Sequence, residues 1–505
     1  MAPIILRRGP RGADEPGHQG VPIQKSWPLT LGTVVWHLRW CEIPGSTRRG
    51  TMMEMRSVIL YLALALAGCA DMTHDQQRTP SGGPTGVKDP GVRGGSAGAG
   101  GPLPGLTKAE LAFFQAGRET FLEAEAVKDG LGPRFNLDSC AGCHAQPATG
   151  GSSPSVNPQV AAATANGAAN IVPSFIMLNG PVREARFKFK ADGTRDGGVH
   201  NLYTIAGRKD APGCVLTQPD FKREAARQNV IFRIPTPVFG AGLIEEISDE
   251  TILASQRAEQ PGRRTMGIAG RPNRRGPGRV NTSSNDGSVT RFGWKAQNKS
   301  LLVFAGEAYN VEQGVTNELF QTERDETRTC LFTATPEDHT KFDAATATSA
   351  VSDLTKFAIF MKFLAPPEPA PETPSSARGR AVFTEIGCAL CHTPSLMTGR
   401  SSSAALSEKP VRLFSDLLLH RMGPRLADDI PQGVAEGDEF RTAPLWGLGK
   451  RIFFLHDGRT TDLVEAIEAH ASGWFRRSEA NAVIARFDAL GNDRKQDLLN
   501  FLRGL

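Results

Sequence analysis

Two short cysteine–histidine motifs are the residues of this sequence with the clearest chemistry. Residues 140–144 read CAGCH and residues 388–392 read CALCH. Two thiols three positions apart on one helical turn reach the two vinyl groups of one porphyrin, and the next residue places its imidazole beneath the iron. Zinc knuckles and thioredoxin-like redox pairs also use such cysteines, but the trailing histidine and the occurrence in both halves disfavour them. The sequence therefore predicts two covalently bound haem c groups, attached and ligated by Cys140, Cys143 and His144 and by Cys388, Cys391 and His392.

Each motif follows a segment with the same helical pattern. Residues Gly117–Phe121 read GRETF and residues Gly379–Phe383 read GRAVF, and the glycine in each permits close helix crossing. Residues 492–505 predict a closing helix over the haem. Its apolar stripe consists of Leu498, Leu499, Phe501 and Leu502.

These repeats predict a mainly α fold of two cytochrome c-like domains, each with one c-type haem. The first domain spans residues 107–365 and carries a large insertion, and the second spans residues 378–505. Residues 366–377, which include PPEPAPETPSS, predict a stiff linker between them.

The N-terminal region predicts export. The apolar run SVILYLALALA after Arg56 is too short to span a bilayer and ends in Leu66–Cys69, so residues 52–69 predict a signal peptide with a lipoprotein box. Lipid on Cys69 would tether the protein to a membrane in the periplasm, and a plain signal peptide with an incidental cysteine is the alternative. Because a signal must begin a chain, we expect residues 1–51 to be a mis-called extension. Residues 70–106, rich in Gly and Pro, predict a flexible tether.

Net charge excludes one class of partner. The 505 residues carry a formal charge of +5, and residues 1–51 contain seven Lys or Arg against three Asp or Glu. The remainder is close to neutral, and four haem propionates would make it acidic. The sequence therefore gives no reason to expect nucleic-acid binding.

Cys214 and Cys330 are the cysteines left over after the motifs and the N-terminal region. In an oxidising compartment such a pair predicts a disulfide, here within the first domain, and two unpaired thiols are the alternative.

The sixth iron ligand decides whether a haem carries electrons or binds a small oxidant. In the second domain, Leu463, Ala466, Ile467 and His470 share one helical face, which makes His470 the first candidate. Met422 is the second choice. The remaining candidates are Met397, His420 and His456, and a bond to a haem propionate is the alternative role of His456.

The first domain offers fewer ligands. Aligning Leu301 with Leu463 places Ala308 opposite His470, and an alanine cannot ligate iron. This predicts an open, reactive first haem. Either Glu307 or Glu312 could move a proton between peroxide oxygens there, although exposed helix carboxylates are the alternative.

Several stretches together resemble the bacterial di-haem cytochrome c peroxidase superfamily, and within it the di-haem oxidoreductase branch sometimes labelled thiol oxidoreductase. They span most of residues 107–505. The stretches are GLGPRFNLDSCAGCHAQPATGGSS, RIPTPVFGAGLIEEI, RFGWKAQNKSL, LLLHRMGPRLADDIPQG, EFRTAPLWGLG and FLHDGRTTDLVEAIEAH.

The resemblance implies an enzyme with its haems near the domain interface. It implies that the N-terminal haem reacts with peroxide while the C-terminal haem relays electrons, with Trp294 conducting between them. Glu312 is the nearest match to the catalytic glutamate, and His470 matches the sixth ligand of the C-terminal haem. The resemblance also allows a calcium ion between the domains.

The resulting expectation is a peroxidase-type oxidoreductase that takes electrons from a small periplasmic cytochrome c or cupredoxin. A non-catalytic electron-transfer cytochrome, and an oxidase of an organic, protein or thiol substrate, are the alternatives.

Overall fold

Two helices cross in each half of the molecule and frame its haem motif. The computed structural model describes residues 86–274, 288–473 and 477–505. The opening and closing helices are Lys108–Leu122 and Asp353–Phe363 in the first half, and Pro374–Ile386 and Asn492–Gly504 in the second. Both opening helices begin with a capping box, at Thr107 and Thr373.

A glycine lies at each crossing. A Cβ at Gly117 would lie 2.3 Å from a carbonyl oxygen of the first closing helix, and a Cβ at Gly379 would lie 2.0 Å from one of the second. Only a residue without a side chain fits there, as the glycine-containing segments predict.

Shorter helices complete the helical part of the described chain. They are Cys140–Cys143, Gln159–Ala162, Phe221–Ala226, Ala241–Glu245, Asp249–Ala258, Gln260–Met266, Leu301–Ala308, Ala347–Ala350, Leu463–Glu468 and Asn481–Asp488. A π-helical turn, Tyr309–Gln313, continues the helix Leu301–Ala308.

Short strands make the fold mixed and helix-rich, which corrects the mainly α prediction. The larger sheet has the antiparallel order Val199–His200, Glu184–Phe187, Val230–Arg233. Three two-stranded ladders pair Arg134–Phe135 with Tyr203–Thr204, Leu396–Met397 with Pro410–Val411, and Leu419–Arg421 with Glu439–Arg441. Strands this short carry too little periodicity to be read from sequence.

Three apolar clusters form the interior. The first packs the crossing helices of the first half around Phe121 and Phe360, and the second does the same around Phe383 and Phe501. The third lies in the insertion around Phe135 and includes Cys214 and Cys330, which are joined by a disulfide with an S–S distance of 2.07 Å.

Residues 86–106, which the sequence assigns to the flexible tether, lie against both halves; we call them the N-terminal strap. Arg503 of the second closing helix donates two hydrogen bonds, of 2.7 and 2.6 Å, to the carboxylate of Asp89. The Leu103 amide donates to the Phe363 carbonyl of the first closing helix at 2.8 Å. Composition missed this because a buried ion pair, backbone hydrogen bonds and a few apolar side chains such as the buried Leu103 hold the strap.

The remaining N-terminal predictions fall outside the described residues. These are the extension 1–51, the signal peptide 52–69, lipidation at Cys69 and the first part of the tether. Within the described ranges, no helix combines the length and the apolar character that crossing a bilayer requires.

Candidate active site

The first cysteine–histidine motif forms one wall of a cleft in the first half. Cys140, Cys143 and His144 all line this cleft. His144 Nδ1 donates to the Gly151 carbonyl at 2.9 Å, which fixes the tautomer and leaves Nε2 free for a metal. Burial lowers the pKa of His144 to about 4, so the imidazole is neutral, as an iron ligand must be.

The second motif is built in the same way. Cys388, Cys391 and His392 line a cleft in the second half, and His392 Nδ1 donates to the Phe414 carbonyl at 3.0 Å. Burial, and then the neighbouring His470, lower the pKa of His392 to about 4. Both proximal histidines therefore present the same free nitrogen.

Both clefts fit a haem. Each cleft brings its two motif cysteines and the following histidine to the wall of one open space. None of the four motif cysteines forms a disulfide. Burial, and then Cys391, raise the pKa of Cys388 to about 12, so its thiol is neutral and is not the thiolate that a zinc ion binds.

Two arginines in the second cleft add to this fit. Arg441 and Arg451 line the cleft, and neither forms an ion pair with a carboxylate of the described residues. Burial lowers the pKa of each to about 10, with further lowering of Arg441 by Arg451 and of Arg451 by Arg503. A cationic site without an anion suits a porphyrin propionate. Sequence reasoning missed these arginines because their burial follows only from the fold.

His470 and Met422 both line the second cleft. His470 Nδ1 donates to the Ala466 carbonyl, one helical turn back, at 2.8 Å, so its Nε2 is left for a metal. Of the two residues singled out as sixth ligands, His470 thus presents a nitrogen that is already oriented.

The other candidates are placed differently. His420 has both ring nitrogens in use, Nδ1 with Glu479 at 2.7 Å and Nε2 with Asp416 at 2.9 Å. His456 lines the second cleft and stacks on Phe440 with ring centroids 4.5 Å apart. Met397 is 47% exposed and does not line the cleft.

Ala308, which the alignment of Leu301 with Leu463 sets opposite His470, lines the first cleft. Among the described lining residues, His144 is the only histidine. Met361 also lines the cleft, from the first closing helix, where it belongs to the apolar core. The part of the chain that the structure describes therefore offers no second imidazole to close this site.

Glu312 and Glu307 both line the first cleft, and the structure distinguishes them. Glu307 accepts a hydrogen bond from Asn298. Glu312 lies on the π-helical turn, accepts from Asn136 Nδ2 at 2.7 Å and is hydrogen-bonded to the side chain of Glu184.

Glu312 and Glu184 have opposite pKa shifts. Burial, and then the charge of Glu184, raise the pKa of Glu312 well above its usual range. Burial opposes ionisation of Glu184 as well, but Arg186, whose Nε donates to it at 2.6 Å, holds the pKa of Glu184 below its usual range. Of the two carboxyls, Glu312 is therefore the one that retains a proton more readily.

Antiparallel pairing explains how Glu184 reaches this site. Glu184 and Arg186 are two positions apart and therefore point to the same face of one strand. Glu184 pairs with Arg233 of the neighbouring antiparallel strand. Glu184 is 128 positions from Glu312, so no local sequence signal could have found it.

Trp294 lines both clefts and forms part of the wall between them. Its indole Nε1 donates to the Ile234 carbonyl at 2.9 Å, and its ring lies edge-on to His456 with centroids 6.4 Å apart. An aromatic side chain thus connects the two sites.

Comparison with known families identifies the class of protein. Residues 191–505 match the family described as "Di-haem oxidoreductase, putative peroxidase". The chain belongs to this family. The matched range contains the second motif, whereas the first lies upstream of it. No curated protein sequence matches the chain.

Solved structures show weak similarity. A MauG-like protein associated with microbial copper homeostasis is 20% identical, with a TM-score of 0.23 over 32% of this chain and 55% of its own. A diheme peroxidase from Burkholderia thailandensis is 17% identical, with a TM-score of 0.22 over 41% and 59%. Kuenenia stuttgartiensis hydrazine synthase is 16% identical, with a TM-score of 0.21 over 32% and 56%. The chain thus spans little more than half the length of each of these structures.

Proposed function

We propose that the protein is a periplasmic di-haem peroxidase that reduces peroxide at its first cleft and takes up electrons through its second. Cys140, Cys143 and His144 would hold one haem c. The second would be held by Cys388, Cys391 and His392, with His470 as sixth ligand, Met422 as second choice, and Arg441 and Arg451 facing its propionates. When bound, the first haem would supply an iron with a free coordination face for peroxide, and the second an electron.

The observation that carries this proposal is the contrast between Ala308 and His470. Ala308 lines the first cleft and His470 the second, the alignment of Leu301 with Leu463 sets them opposite each other, and only the histidine can bind iron. An electron-transfer cytochrome with two closed haems would need a ligand where Ala308 lies.

Glu312 is the proposed proton donor in the first cleft. Its carboxyl retains a proton more readily than an ordinary glutamate because burial and Glu184 both disfavour its charged form. Asn136, which donates to Glu312 Oε2, orients the carboxyl. Glu312 would donate its proton to the departing oxygen of a peroxide molecule and take up the proton of the other oxygen, which promotes cleavage of the O–O bond.

Trp294 is the proposed conductor between the clefts. It lines both of them, and its hydrogen bond to Ile234 fixes the indole in one orientation. A small donor such as a cytochrome c or a cupredoxin would deliver electrons at the second half. Lipid on Cys69 would keep the enzyme at the membrane.

Substitution of the two cleft glutamates tests this function. Glu312→Gln should lower peroxide turnover about a hundredfold, the usual contribution of a general acid–base group, with two haems still attached by mass spectrometry. Glu307→Gln is the matched control and should leave turnover near that of the wild type. Unchanged turnover in Glu312→Gln would remove Glu312 from the mechanism. No peroxide turnover in the wild type would favour a carrier or an oxidase of another substrate.

A further inference from the structure

Lys295, the neighbour of Trp294, has a fully buried side chain. A lysine rarely gives up all contact with water unless its ammonium group is fully paired. Burial lowers the pKa of Lys295 to about 8 although Asp428 opposes this effect, so the group remains a cation at neutral pH.

Four oxygen atoms surround the ammonium group. Lys295 Nζ donates to the carbonyl oxygens of Glu436 and Glu439, each at 2.8 Å, and to that of Gly437 at 3.3 Å. It lies 3.1 Å from Asp428 Oδ1, a carboxylate that is itself fully buried. We call these four oxygens the Lys295 cage.

Such a set of oxygens matches the preference of a hard divalent cation. Calcium is bound in proteins by carboxylates and backbone carbonyls, with waters completing six to eight ligands. The Lys295 cage supplies three carbonyls and one carboxylate around a single positive charge. Lys295 Nζ thus has four oxygen partners, whereas Lys450 Nζ donates to two, the carbonyls of Gly94 and Gly95.

The Lys295 cage lies behind the wall that separates the clefts. The other oxygen of Asp428 accepts from Arg233, which lines the first cleft, at 2.6 Å. On the opposite side, Lys295 Nζ lies 4.0 Å from the ring centroid of Phe440, which lines the second cleft. The charge therefore holds together residues of both sites beside Trp294.

The family resemblance allows a calcium ion between the two halves, and the oxygens of the Lys295 cage already surround a cation there. We propose that Lys295 is a built-in cation that takes the place of an inter-cleft calcium ion, so that the enzyme needs no calcium and loss of this side chain turns the cage into a calcium site.

This proposal rests on the Lys295 cage alone and does not depend on the peroxidase activity. Its test compares the full-length haem-loaded wild type with Lys295→Ala and Lys295→Ser, both of which remove the ammonium group and leave room for an ion. Lys450→Ala is the control, because it removes another largely buried lysine, one that donates to two backbone carbonyls and forms no ion pair among the described residues. Thermal unfolding is measured in calcium chloride and in a chelator, and calcium binding by titration calorimetry.

For the wild type and for Lys450→Ala, the unfolding temperature of each protein should be the same in calcium chloride as in chelator. Neither protein should bind calcium. The two Lys295 variants should be destabilised in chelator, recover by several degrees in calcium and bind one equivalent. Calcium-dependent stability of the wild type would overturn the proposal. So would Lys295 variants that calcium does not stabilise, whether they fold or fail to fold in both buffers.

Discussion

The two clefts have the same surroundings of the proximal histidine and differ in the residues on the opposite side of the site proposed for iron. In both, a phenylalanine of the opening helix lies near the proximal histidine, with centroids 6.0 Å apart for Phe121 and His144 and 6.4 Å for Phe383 and His392. In both, the histidine is oriented by a backbone carbonyl. The proximal sides are therefore nearly equivalent.

The opposite sides differ in chemistry. The first cleft presents Ala308 together with Glu312, whose pKa is raised, and its partner Glu184. The second presents His470 and the arginines Arg441 and Arg451, which form no ion pair with a carboxylate of the described residues. A repeated haem-binding unit can thus be specialised by one helix: a small residue and a proton donor make a reactive site, and an imidazole makes an electron-transfer site.

Exchanging Ala308 and His470 should have the largest effect on the difference between the two clefts. Ala308→His should place an imidazole in the first cleft and lower peroxide turnover by about a hundredfold or more, because the free coordination face is lost. Absorption spectra with added cyanide measure the change directly. The reciprocal His470→Ala should create a second cyanide-sensitive haem. If Ala308→His still binds cyanide and turns over peroxide, the assignment of the open site to the first cleft is wrong.

Removal of the disulfide should affect only the first half. Cys214 and Cys330 close a loop of 116 residues, so replacing both by serine should lower the free energy of unfolding by about 4 kcal/mol. Urea unfolding measures this loss, and the wild type under reducing conditions is the control. The spectrum of the second haem should remain unchanged in the folded variant. A variant as stable as the wild type would contradict this role.

Filling the helix crossings should destabilise both halves to a similar extent. Gly117→Ala and Gly379→Ala each force a methyl group against the backbone of a closing helix and should cost about 1–3 kcal/mol. Gly101→Ala, with no atom within 4 Å of the new Cβ, is the control. Denaturant midpoints report the difference. Equal stability of all three variants would show that the crossings tolerate a side chain.

The smallest expected effect is a shift of the pH profile. Turnover that needs the proton on Glu312 should persist at neutral pH and fall as pH rises through its raised pKa. Glu184→Gln removes the nearby negative charge and so lowers the pKa of Glu312, and the fall should begin at a lower pH. The measurement is kcat/KM for peroxide against pH, with Glu307→Gln as control. An alkaline limb that does not move would exclude Glu184 as the partner of Glu312.

Much of this contrast could be predicted from local sequence. The glycine-containing helices and the placement of Ala308 opposite His470 follow from spacing, because helical geometry brings residues one turn apart onto one face. The resemblance supplied Trp294, which does line both clefts.

Other features depend on contacts between distant segments. The Glu184–Glu312 pair, the Lys295 cage and the arginines Arg441 and Arg451 join strands and turns that no periodicity connects. Composition likewise could not show how the N-terminal strap, residues 86–106, is held. The partners of Asp89 and main-chain hydrogen bonds fix this Gly-rich segment. Burial and pairing of charges therefore had to come from the fold.

The electron paramagnetic resonance spectrum of the exported, fully oxidised protein tests the central claim most directly. When mass spectrometry confirms two covalent haems, high-spin and low-spin iron should be present in equal amounts. Only the high-spin signal should change when cyanide is added. Two low-spin haems that ignore cyanide, or fewer than two haems per chain, would contradict it.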